Sequence, residues 1–134
     1  MALKLRGGIP VLAAVGVLLA FVHLWGADVI VLTKEDSGKT VTVSAENVIM
    51  IALEEKGATG YQWHFDESDI REFAVIDSEA IQPHRPGMVG TPILRMWKLK
   101  ARKAGTSPLR MYYYRSWEGW EAAVDHFAVT VDTR

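Results

Sequence analysis

The stretch NVIMIALEEKGATGYQWHF, Asn47 to Phe65, holds two runs of alternating apolar residues joined by a short glycine-containing link. Ile49, Ile51 and Leu53 fall on one face of an extended chain, and Tyr61, Trp63 and Phe65 fall on one face of the next. Alternation with period two over so few residues is the mark of a half-buried strand. Gly57 and Gly60 mark the turn between the strands. A threonine set between glycines and followed by two aromatics is unusual for a plain loop. We therefore read Ala58 and Thr59 as an exposed tip offering a small polar group, with Tyr61 and Trp63 belonging to the core.

Similar runs continue outward. Val29 to Thr33 is a short apolar run, and Val41 and Val43 alternate with polar neighbours. Trp97, Leu99 and Ala101 oppose Lys98 and Lys100, and Leu109, Met111 and Tyr113 oppose Arg110, Tyr112 and Tyr114. Phe127, Val129 and Val131 close the chain. Residues 72–76 form a shorter, weaker run, preceded by an acidic stretch that can form a helical turn. Glycine- and proline-bearing links separate these runs. Seven or eight short strands of this kind predict an all-β, immunoglobulin-like antiparallel sandwich over residues 28–134. If successive strands (47–53, 61–65, 72–76, 94–101, 109–114, 124–132) alternate in direction, three loops share one end. They are 57–60, 82–93 and 115–122. Loops at one end of a sandwich make a composite binding surface.

Residues 1–27 differ from the rest. Lys4 and Arg6 precede an apolar run from Ile9 to Leu24. Carried to Trp25, the run is about 26 Å of helix, at the short limit for a membrane span. A signal peptide and an uncleaved membrane anchor through residues 9–25 fit equally. Either exports residues 28–134, as a secreted, periplasmic or outer-face-tethered domain. A buried soluble helix is the third reading.

Composition closes off other classes. The 134 residues are 49% hydrophobic and 23% charged with a net charge of -1, which fits one globular domain and implies no pull toward nucleic acid. There is no cysteine, and His64, His84 and His126 lack ligand spacing, so no metal site is expected. No G-x-S-x-G or phosphate-cradling loop occurs, so neither an enzyme nor a cofactor is expected. Asp66, Glu67 and Asp69 read as a solvated acidic turn. Lys98, Lys100, Arg102 and Arg110 read as the solvent face of a sheet.

The loops carry the functional signal. The third loop carries Arg115, and its Trp117 and Trp120 lie outside any alternating pattern; arginine and tryptophan are frequent interface anchors. Either tryptophan can instead fold back over the open end of the core. Gly87, Gly90, Pro83, Pro86 and Pro92 punctuate the second loop.

Taken in order, these loops resemble the chagasin-like inhibitors of papain-type cysteine proteases (family I42). Lys56-Gly57-Ala58-Thr59-Gly60-Tyr61, then Gln62-Trp63, is similar to that family's Asn-Pro-Thr-Thr-Gly-Tyr/Phe before a tryptophan-bearing strand. Gly90-Thr91-Pro92-Ile93, with Trp97 beyond, resembles its Gly-x-x-Gly turn, and Arg115-Ser116-Trp117 its Arg-Pro-Trp. The resemblance covers residues 40–132. It implies a non-catalytic protein that occludes a protease cleft with three loops; a loop-end binding surface needs no symmetry, so a monomer is expected. Ala58, Thr59, Gly60 and Tyr61 would lie over the catalytic centre, Gly90, Thr91 and Pro92 along one side, and Arg115 and Trp117 on the other. The departures are Lys56-Gly57 for Asn-Pro, Ile93 for glycine and Ser116 for proline. They keep a second reading open, in which the same loops bind an envelope or surface protein without inhibiting a protease.

Overall fold

The computed structural model describes residues 20–24, 27–82 and 92–134, with side chains from Asp28 onward. Nine strands occur among the described residues: β1 (Ala20–Leu24), β2 (Ala27–Leu32), β3 (Thr40–Val43), β4 (Val48–Glu55), β5 (Tyr61–Phe65), β6 (Phe73–Ile81), β7 (Ile93–Ala101), β8 (Gly105–Arg115) and β9 (Asp125–Thr133). One helical turn, α1 (Glu67–Ile70), lies between β5 and β6. Five strands form one sheet in the order β1-β2-β4-β7-β6, and four form the other in the order β3-β9-β8-β5.

The alternation read from the sequence is the burial pattern. Ile49, Ile51, Leu53, Leu99, Leu109, Met111 and Phe127 are buried between the sheets, with Trp63 and Trp97 close to it. Trp97 meets the edge of Phe65 with ring centroids 5.6 Å apart, joining the two inner faces. Polar neighbours on the same strands face out, as burial of one face of each sheet requires.

Two pairings are parallel, which corrects the expectation of a wholly antiparallel sandwich. β2 lies parallel to β4, and β3 parallel to β9. The reason is topological. Each strand reverses the direction of the one before, so even-numbered strands all run one way and odd-numbered strands the other. Wherever the chain places two even or two odd strands side by side, the pair is parallel.

The same rule puts four connections at one end. The loops after β4, β6 and β8 were expected there. The β2–β3 turn joins them, with a short 3-10 segment at Lys34–Asp36. The Lys34 ammonium pairs with Asp125 at 3.3 Å, tying this turn to the start of β9.

Four further expectations change. Residues 20–24 form a strand antiparallel to β2, although they lie within the run read as helical. The rest of the residue 9–25 run, apart from that strand, lies outside the described residues. No helix among the described residues is long and apolar enough to cross a membrane. β6 extends to Ile81, past the expected 76, with a register shift between Val75 and Asp77. It is an edge strand, so Asp77, Ser78 and Glu79 need no burial and leave no apolar signal. β8 also begins earlier, at Gly105. Pro108 is tolerated because β5 flanks only Met111 to Arg115.

The acidic turn is the fourth change. The Asp66 carboxylate caps α1, accepting hydrogen bonds from the Ser68 and Asp69 amides at 2.9 and 3.2 Å. Asp69 is not solvated: it is 4% exposed. The Arg110 guanidinium donates to it twice, at 2.7 and 2.8 Å, and the Arg110 amide donates at 3.0 Å. A carboxylate can be buried at this turn because three donors meet it.

Candidate functional site

The base of the first loop is built before its tip. Glu55, the last residue of β4, is 2% exposed. Its carboxylate accepts from the Trp63 amide and from Arg95 Nε, both at 2.9 Å. The Trp63 indole donates to the Glu54 carbonyl at 3.0 Å, and the Lys56 amide donates to the Tyr113 hydroxyl at 2.8 Å. These bonds join β4 and β7 of one sheet to β5 and β8 of the other. The chain leaves and re-enters the sandwich at a defined spacing.

The tip is tied inward. The Thr59 hydroxyl donates to the Lys56 carbonyl at 2.7 Å and accepts from the Tyr61 amide at 3.3 Å. The sequence reading offered this hydroxyl to a partner; the structure commits it to the loop. The left-handed positions are Ala58, at φ 69°, and Gly60, at φ 84°. Gly57 is not among them, so the residue carrying backbone strain is Ala58, not Gly57.

Gly60 also has a packing reason to be glycine. The outer ring of Trp117 lies against it, with Cζ3 and Cζ2 3.2 and 3.3 Å from where a Cβ would stand and Cη2 closer still. Trp117 crosses from the β8–β9 loop onto the tip of the β4–β5 loop, yet remains 71% exposed. It does not fold back over the core.

Arg115 locks the two loops together. Its Nε donates to the Thr59 carbonyl at 3.0 Å. Its guanidinium carbon lies 4.5 Å from the Tyr61 ring centroid and 5.9 Å from that of Trp117. A guanidinium beside two ring faces is a favourable cation–π arrangement. Tyr61 stacks on Tyr113 at 5.5 Å, which carries the clamp into the core. The Arg115 carbonyl accepts from the Glu118 and Gly119 amides at 2.8 and 3.3 Å, closing the turn through Ser116 without a proline.

Ala58, Thr59, Gly60, Tyr61, Arg115 and Trp117 thus share one exposed edge. Pro92 is exposed at the same end and lines an open cavity of about 660 Å³ together with Lys56 and Thr33. Gly90 and Thr91 lie outside the described residues. Ile93 pairs with Glu55 as the first residue of β7, so the strand simply extends through that position.

Trp120 does fold back, but onto a different surface. It leans on Tyr112, on the outer face of the four-stranded sheet, with centroids 5.9 Å apart, and stays 62% exposed. The open end of the core is already closed by Trp63 and Tyr113, whose rings are 4.9 Å apart. No cluster of metal-binding side chains occurs among the described residues.

A model of the chagasin family of peptidase inhibitors, I42, matches residues 42–131. The chain belongs to the chagasin family. Amoebiasin-2 of Entamoeba histolytica is 33% identical over 88 residues, covering 66% of this chain and 72% of the relative. Chagasin of Trypanosoma cruzi is 24% identical over 102 residues, covering 73% and 92%. The crystal structure of the cysteine protease inhibitor EhICP2 of Entamoeba histolytica superimposes with a TM-score of 0.68 at 28% identity, over 79% of this chain and 96% of that one. In this chagasin-family chain the match spans all three loops. Residues 1–41 lie outside it.

Proposed function

We propose that the protein inhibits papain-like cysteine proteases by filling the active-site cleft with this edge. The observation that carries the reading is the clamp: Arg115 binds Thr59 and lies beside Tyr61 and Trp117, so two loops present one preformed surface. Preorganisation lowers the ordering cost of association. The cysteine protease inhibitor EhICP2 shares the fold. Ala58 to Gly60 would cover the catalytic cysteine and histidine, Trp117 would dock on one side, and Gly90 to Pro92 would lie on the other. A standard interface of about 800 Å² per partner is within reach of three loops. Inhibition would be steric: the loops fill the cleft, block substrate and offer the catalytic cysteine no bond that can be cut.

Export of residues 28–134 belongs to the same proposal and rests on Lys4 and Arg6 ahead of an apolar run. Cleavage after Ala27 would remove β1 and leave β2 at the sheet edge. N-terminal sequencing of the exported protein distinguishes that start from Met1.

The decisive experiment titrates a papain-like protease with the full chain and with Thr59→Arg. Stoichiometric loss of activity with the parent protein, relieved by the arginine, is expected. A folded protein that leaves the protease active at micromolar concentration overturns the proposal and favours a binding module without inhibitory action.

A further inference from the structure

Below the overhang of the β8–β9 loop, the outer face of the four-stranded sheet carries a cleft of about 340 Å³ that the inhibitory edge does not use. Its walls are aromatic: Tyr112, Tyr114 and Trp120. Its other side is acidic: Asp66 and Glu67. The aromatic groups are held in place. Tyr114 stacks on His64 at 3.9 Å with ring planes 19° apart. Tyr112 donates its hydroxyl to Asp66 Oδ2 at 3.1 Å, and its ring stands 43° from that of Trp120.

The charge balance of the cleft is one-sided. No lysine or arginine lines it. The nearest guanidinium, Arg110, is taken up by Asp69 through two hydrogen bonds. Burial raises the Asp66 carboxyl, but the amides of Asp69 and Ser68, the Tyr112 hydroxyl and the charge of Arg110 together outweigh burial and lower it. Glu67 is exposed and forms no ion pair among the described residues. Aromatic faces beside carboxylates, with no internal cation, suit an ammonium or guanidinium group. Trp120 follows Trp117 on the same loop and Tyr114 directly precedes Arg115 on β8, so the aromatic wall of the cleft begins beside the edge proposed to meet the protease, while Asp66 and Glu67 lie beyond the far end of β5.

We propose that this cleft receives a basic side chain, lysine or arginine, of the protease docked on the inhibitory edge. The partner rests on the inhibitory reading; the recognition of a cation does not.

Two arms test this with the full chain. In the first, N-acetyl-arginine amide is titrated while the Trp120 indole N–H resonance is followed, assigned by its loss in Trp120→Phe. N-acetyl-glycine amide at equal ionic strength is the uncharged control. A saturable shift with the cation alone is expected, weakened about two- to fivefold by Glu67→Gln. An equal response to both amides, or none to either, overturns the cation site. In the second arm, Glu67→Gln and Glu67→Lys are compared against a papain-like protease that the parent protein inhibits. Weaker inhibition by the lysine variant than by the glutamine variant, narrowing at high salt with melting unchanged, supports the docked side chain. Equal inhibition by both variants and the parent overturns it. If the parent inhibits no protease, the inhibitory reading and the docked side chain fail together, while the first arm still decides the cation site.

Discussion

The outer ring of Trp117 rests on the α-carbon of Gly60, and a methyl group at that carbon would stand inside the ring's contact distance. The relation joins two loops separated by most of the domain in sequence. It makes the glycine a seat for the tryptophan as well as a turn residue. Gly60→Ala should therefore displace Trp117 and strain a left-handed backbone, costing about 1–2 kcal/mol of stability. Inhibition should weaken while the β fold persists, read by inhibition assay beside circular dichroism. An alanine variant with parental affinity would separate the tryptophan's seat from its function.

Trp117→Ala tests the anchor itself. The side chain is 71% exposed, so truncation should alter stability by no more than about 0.5 kcal/mol. A central interface anchor typically contributes about 2 kcal/mol or more, so the inhibition constant should rise by at least about tenfold. Paired melting and inhibition measurements check both halves.

Ala58 adopts φ 69°, a region that favours glycine. Ala58→Gly should raise stability by up to about 1 kcal/mol, offset in part by added freedom in the unfolded chain. Denaturant midpoints measure the net effect. The same variant should bind no more tightly, because the strain lies in the loop with or without a partner.

Glu55 supports the loop stems with the Trp63 amide and Arg95 as partners. Glu55→Ala removes a buried acceptor and leaves both donors unmatched, which typically costs about 3–5 kcal/mol. Arg95→Ala should cost more, because it leaves the Glu55 carboxylate, 3% exposed, without its counter-charge, whereas the Arg95 guanidinium left by Glu55→Ala can reach water. The order of the two melting temperatures is the test.

Acid and alkali should act on opposite members of one hydrogen bond. The Asp66 carboxyl is raised by burial and lowered further by its amide and Tyr112 partners, for a net fall below the ordinary 3.8. Its contribution to stability is complete above that value and is lost as pH falls through the lower folded value. The Tyr112 hydroxyl is raised above the ordinary 10.0, first by burial and then by its bond to Asp66. Its contribution is complete below 10.0 and is lost as pH rises through the higher folded value. Asp66→Asn should flatten the acid limb of a stability–pH curve, and Tyr112→Phe the alkaline limb.

The sequence by itself determined the strands that alternate and therefore the core. Ile49, Ile51, Leu53, Trp63, Leu99, Leu109, Met111 and Phe127 are buried as their spacing requires, because period-two burial is a local property of an extended chain. It also marked the loop after β8 as part of the candidate site, since Trp117 stands outside that pattern. Only the tertiary structure decided the rest. The Asp69–Arg110 pair looked like a solvated acid and an outward arginine until two distant segments met. Trp120 went to Tyr112, the Thr59 hydroxyl turned inward, and the β2–β3 turn joined the end that carries the candidate site through Lys34 and Asp125. Apart from the Thr59 hydrogen bonds, these outcomes depend on which residues the pairing of strands brings together. Spacing along the chain encodes the face a residue takes, and the order of strands in the sheets chooses its neighbour.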